Sequence, residues 1–253
     1  MTCPRLPPQV GAFFGVDKMK LYLDLETIPG QQPWVRADVF EQIEKDILEL
    51  RPPGNYKKQE SIDAWRDAEA ARMRDAGEEK YRKTALDGGR GEIVSIALAV
   101  DDQAPRVFIR GPEASEPSER MIIEEFFDTL GDILGEKGTW GCIWIGHNIS
   151  KFDLPFLWQR CVALGYRPPV ALPKHPSPKA PEVYDTMTEW AGWGGRISQD
   201  RLCKILHLPT KEGMTGADVY RVWLGGDIDM LAEYNARDVE TVREIYKKLE
   251  FKK

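Results

Sequence analysis

Two repeat lengths organise the apolar positions of this chain. Between Met19 and Thr27 the residues run MKLYLDLET, with Leu21, Leu23 and Leu25 alternating against Tyr22, Asp24 and Glu26. A repeat of two marks a strand with one face turned to a core. Glu92 to Val100 (EIVSIALAV) is a mostly apolar, β-branched run. Asp101-Asp102-Gln103 forms a turn and Arg106–Arg110 a third strand, so 92–110 reads as a hairpin. Trp140 to Gly146 reads as a further buried strand. Elsewhere the spacing lengthens to that of a helix. Residues 118–134 gather Met121, Ile122, Phe126, Leu130 and Ile133 on one side, and helices are predicted over about 153–164, 198–207, 217–224 and 228–250. From about 36 to 85 the chain is highly charged and mostly helical in pattern, an insertion or an arm over one side of the core. Residues 1–18 read as a loosely ordered lead-in. The proline-rich stretch 165–183 reads as an irregular loop over a site. Strands first, one helix, one more strand, then helices is a mixed α/β order.

Composition narrows the class. The chain has 253 residues, 42% hydrophobic and 30% charged, as expected of an ordinary soluble domain with room for one insertion. No stretch reaches the roughly 20 apolar residues of a membrane helix, and the start, Met1 to Arg5, lacks an apolar signal core. The four cysteines are scattered without a CxxC pair, so neither a zinc site nor a disulfide framework is expected, and a reducing cytoplasm is the expected compartment. A net charge of −6 argues against a non-specific duplex binder.

Three acidic stretches change the picture. Asp24 and Glu26 point to one face of the first strand. Like charges held that close repel unless a cation sits between them, and hard oxygen ligands favour magnesium or manganese. Asp153 follows a buried strand in GHNISKFDLPFL and is placed to N-cap the next helix, with Pro155 in its first turn. Asp238 shares a helical face with Leu231, Val242, Ile245 and Leu249, although buried carboxylates are uncommon unless paired or metal-bound. Tyr234 lies one turn earlier on that face.

Order and spacing turn these separate signals into one. Asp24-x-Glu26, Asn148-x-x-x-Phe152-Asp153 and Tyr234-x-x-x-Asp238 resemble the three motifs of the DEDD exonuclease superfamily, tyrosine subgroup. The resemblance is above all to the proofreading exonuclease domain of family B DNA polymerases and its stand-alone relatives. Position 233 is Glu, not the His of the histidine subgroup. Ala85-Leu86-Asp87, Tyr184-Asp185-Thr186-Met187 and Tyr234–Val239 add to the likeness, which covers roughly 19–30 and 84–250.

The resemblance implies a ribonuclease H-like α/β fold: a mixed five-stranded sheet with the first strand central, helices on both sides, and a helical insertion over 31–83 within a single domain of 1–253. It implies a two-metal-ion 3′–5′ exonuclease with Mg²⁺ or Mn²⁺, releasing nucleoside 5′-monophosphates. Asp24, Glu26 and Asp238 would hold one ion, Asp24 would bridge to a second, and Asp153 would hold that one partly through water. Tyr234 would orient the attacking water. Thr27 and the backbone at Leu25 would meet the terminal nucleotide, and Asn148 and Phe152 the penultimate base. The expected partner is single-stranded nucleic acid, DNA favoured over RNA, with no membrane and with the insertion as a surface for a protein partner. An RNA-preferring enzyme of the same fold and a non-catalytic nucleic-acid-binding subunit are the alternatives.

Plainer expectations stand beside these. Phe152 would pack in the core and Asn148 would form a turn. Lys211 would be a surface lysine, His147 a satisfied loop histidine and Asp185 structural. Trp190 and Trp193 would be core residues, with stacking on nucleic acid the alternative.

Overall fold

The computed structural model describes residues 18–113, 118–135, 138, 141–177, 180–210 and 213–252. The expectations for residues 1–17, Trp140 and Lys211 lie outside them.

The first strand, β1 (Met19–Ile28), is central. Its antiparallel neighbour is β2 (Glu92–Val100), which pairs in turn with β3 (Arg106–Ile109) to close the hairpin. On its other side β4 (Cys142–Gly146) runs parallel to it, and β5 (Val183–Asp185) runs parallel to β4. The order β3-β2-β1-β4-β5 is the mixed sheet of a ribonuclease H-like fold. With β5 only three residues long, too little alternation exists in the sequence to reveal it after the proline-rich loop.

The alternation in β1 sends its side chains into two separate cores. Leu21, Leu23 and Leu25 pack against α4 (Glu119–Leu134) and α5 (Asp153–Ala163), with Phe126, Phe127 and Leu157 fully buried there. Tyr22 faces the opposite layer, where Val239, Val242 and Tyr246 of α9 (Ile228–Leu249) meet Ala97 and Ala99. Asp24 and Glu26 share the Tyr22 face and therefore look toward α9. The α4 stripe holds at Ile122, Phe126 and Leu130 and is widened by Ile123 and Phe127, all fully buried, while Met121 is exposed and Ile133 half-buried.

A buried ion pair fixes α5 against α4. Arg160 donates to both Glu119 carboxylate oxygens at 2.8 and 2.7 Å and to the Gly88 carbonyl at 3.2 Å. Glu119 also accepts the Ile93 N–H at 2.8 Å, which ties the pair to β2.

The charged segment between β1 and β2 is helical: α1 (Pro33–Leu48), α2 (Gln59–Asp75), α3 (Gly77–Arg82), then a 3₁₀ turn over Lys83–Leu86. The break falls at Ala76, just before Gly77, where an added Cβ would meet the Phe40 ring. Val35, Val39, Ile43, Ala70 and Tyr81 form a small core of their own. The Tyr81 hydroxyl ties that core to the main body by donating to the Gly30 carbonyl at 3.0 Å.

Candidate active site

Helix α9 carries two of the candidate side chains because its apolar stripe recurs every three to four residues. Leu231, Tyr234, Asn235, Asp238, Val239, Val242 and Ile245 all lie on its buried face. Packing that stripe on the sheet brings Asp238 over the Tyr22 face of β1. One oxygen each of Asp24, Glu26 and Asp238 lies within 4.8 Å of the others. Glu26 and Asp238 are 8% and 3% exposed, so their charges converge in a poorly hydrated corner. Three hard carboxylate oxygens at this separation could hold a divalent cation.

Tyr234 registers the same field. Burial first, then the charges of Glu26, Asp238 and Asp24, and its hydrogen bond to Asp238 hold the phenol far above its ordinary range. It also lines an open cavity of about 270 Å³ with Leu208, Pro209, Thr210 and Asp238.

Asp153 arrives from the other face of the sheet. It is not the N-cap expected of it. Helix α5 starts at Asp153 itself, behind Phe152, without a side-chain cap. The carboxylate reaches back to β1 instead and accepts the Leu25 N–H at 3.0 Å. The register explains why. β4 pairs with β1 only as far as Tyr22, so past that point the β1 edge offers unpaired backbone donors, and Asp153 takes one where a strand would have continued. Burial pushes its carboxyl up to about 7, against the lowering effect of the Leu25 bond.

The loop before Asp153 is held from below. Asp185 accepts the N–H groups of Asn148 and Ser150 and caps α6 (Thr186–Ala191) through Met187 and Thr188, a structural role as expected. Asn148 is in the left-handed region at φ 66°, consistent with a turn-former. Phe152 is half-buried, its ring 5.4 Å from that of Phe156. His147 is satisfied by Thr186 and the Ile197 carbonyl, at 3.0 and 2.9 Å. The Thr27 hydroxyl donates to the Ala85 carbonyl at 2.7 Å, and the Leu25 N–H is taken by Asp153, so both of these expected substrate contacts have protein partners.

Two residues at this corner were not anticipated. Asn235, fully buried, donates from Nδ2 to Asp24 Oδ2 at 2.8 Å and accepts the Ser95 hydroxyl at 2.7 Å. Ser95 pairs with Glu26 across the β1–β2 ladder. Both carried a signal: Asn235 is polar at a position the α9 repeat assigns to the core, and Ser95 interrupts an otherwise apolar strand. Gln199 adds a backbone tether, donating to the Asp238 carbonyl at 3.0 Å.

A ribonuclease H-like sheet with acids from the central strand, from the helix after β4 and from the last helix is the class this fold and site define. Residues 178–252, which include β5 and α9, match the family described as "Predicted 3'-5' exonuclease related to the exonuclease domain of PolB". A candidate DNA polymerase of Frog virus 3 (isolate Goorha), 060R, is 23% identical over 193 residues, 64% of this chain and 18% of that protein. The family B DNA polymerase of the hyperthermophilic archaeon Pyrobaculum calidifontis superposes with a TM-score of 0.53 at 16% identity, over 92% of this chain and 24% of that one. The chain spans less than a quarter of the length of either polymerase. Residues 178–252 are thus similar to a family of PolB-related exonuclease domains, and within them Tyr234 stands four residues before Asp238.

Proposed function

We propose that this chain is a metal-dependent 3′–5′ exonuclease that hydrolyses the terminal phosphodiester of single-stranded DNA and releases nucleoside 5′-monophosphates. The observation that carries the reading is the convergence of Asp24, Glu26 and Asp238 to within 4.8 Å beside the Tyr234 hydroxyl, which is hydrogen-bonded to Asp238.

Asp24, Glu26 and Asp238 would hold one divalent ion, and Asp153, across the end of β1, would contribute to a second. Bound cations supply neutralisation of the scissile phosphate and easier ionisation of water. The protein's own groups do the positioning. Tyr234, fixed on α9 and hydrogen-bonded to Asp238, orients the attacking water without giving up its proton. The half-buried Phe152 and the Asn148 turn form the edge over which the penultimate base would lie, an aromatic face that takes any base.

End-labelled digestion tests the reading. With Mg²⁺ or Mn²⁺, 5′-labelled DNA should shorten one nucleotide at a time, and 3′-labelled DNA should lose its label at once. Asp24→Ala and Asp238→Ala should abolish turnover with the fold intact by circular dichroism. Tyr234→Phe should slow it less than either. Near-normal activity in a carboxylate variant would refute the assignment, and Tyr234→Phe at the parent rate would remove the tyrosine from it. Matched RNA ends in the same assay decide the sugar preference.

A further inference from the structure

The expectation that Trp190 and Trp193 belong to the core does not hold: they are 42% and 62% exposed. We infer that Trp193 and Lys151 form a stacking platform for the bases of a single strand of nucleic acid, upstream of the end held at the acids. The inference rests on the exonuclease reading and extends its site.

The platform is built rather than incidental. Trp193 sits on a tight turn closed by the Gly195 N–H donating to the Gly192 carbonyl at 3.1 Å. Gly194 follows it at φ 85°, a position in such a turn that only glycine takes without strain. A Cβ at Gly195 would run into the Ala191 carbonyl. The glycines permit this turn, and in it the indole faces solvent.

Its placement points to the ligand. The turn follows α6, whose cap Asp185 also binds the backbone of Asn148 and Ser150. His147 bonds Thr186 on one side of the turn and Ile197 on the other. Both ends are thus tied to the loop that delivers Asp153. Lys151, two residues before Asp153, lies with its Nζ 4.7 Å from the Trp193 ring centroid. The chain carries a net charge of −6, yet the segment 186–197 has one base, Arg196, and one acid, Glu189, and Lys151 adds a second positive charge at Trp193. Lys151 covers one face of an indole that is still 62% exposed, so a base would stack on the remaining surface with the ammonium at hand for its phosphate, a pairing that takes a single strand without sequence preference.

The test uses a 5′-fluorescent oligothymidylate of about a dozen nucleotides. In the non-cutting Asp24→Ala protein, Trp193→Ala should weaken binding about tenfold, within what loss of one base–aromatic stack costs. Trp193→Phe should recover most of it. Trp34→Ala, at another exposed tryptophan on α1, should leave it unchanged. With Asp24 restored and Mg²⁺ present, Trp193→Ala should move KM further than kcat. If the parent digests DNA and Trp193→Ala binds as tightly as its background, or if Trp34→Ala weakens binding equally, the platform is wrong and the exonuclease reading survives. Binding that depends on Trp193 in a parent that digests nothing sinks the exonuclease reading alone. Absence of binding sinks the platform, and digestion by the parent then decides the exonuclease reading by itself.

Discussion

Asp24 is held by more than its strand. The Ser95 hydroxyl donates to Asn235 Oδ1, which fixes the amide so that Nδ2 faces the Asp24 carboxylate. A carboxylate oriented this way cannot rotate away when its like-charged neighbours push on it. Partners of this kind typically matter to a metal site by about 10–100-fold in affinity. Asn235→Ala should therefore weaken Mn²⁺ binding by about that factor in calorimetric titration, with Ser95→Ala losing less because the amide remains. Parent-like affinity in Asn235→Ala would show that Asp24 needs no such hold. The acids themselves were legible as residues: a repeat of two put Asp24 and Glu26 on one face, and a helical repeat put Asp238 in the core. Asn235 broke the α9 repeat in the same way. An uncharged amide is common enough inside a helix that the break did not stand out.

Among the elements, α5 has the most demanding task, since it must bring Asp153 to the edge of β1 from the opposite face of the sheet. Its alignment rests on Arg160, which spans Glu119 and the Gly88 carbonyl. Glu119 in turn accepts the Ile93 N–H. Both side chains of the pair are below 10% exposed, so removing one partner strands a buried charge. Arg160→Ala should cost about 3–5 kcal/mol of stability, read from the midpoint of urea unfolding. Replacing Arg160 and Glu119 together by apolar residues should cost less than the single change. A single variant within about 1 kcal/mol of the parent, less than the loss of most buried pairs, would mean that the helix is held by its apolar face alone. The sequence announced the helix but not this pair, because 41 residues separate its members and only the folded sheet brings them together. The same holds for Asp153. Its position before Leu154-Pro155 matches an N-cap, and nothing local reveals that β4 stops short of Leu25 and leaves a donor for it to take.

At the scale of the whole molecule the acid corner carries a cost that a bound cation would repay. Without an ion, three carboxylates crowd within 4.8 Å, and each like-charge pair at that range costs on the order of 1–4 kcal/mol at effective dielectrics between about 80 and 20. Asp238→Asn keeps the shape and the acceptor for Tyr234 while removing two such pairs. In chelator its melting temperature should therefore lie above the parent's. Saturating manganese should reverse the order. An ion at a hundred times its Kd stabilises the folded state by about 2.7 kcal/mol, which for a chain of this size is about 5–10 °C, and only the parent retains the full ligand set to receive it. Differential scanning calorimetry of the two proteins, each with EDTA and with millimolar Mn²⁺, reads all four values. A parent that melts higher in EDTA, or one that manganese leaves unmoved, would mean that these acids were never arranged around an ion.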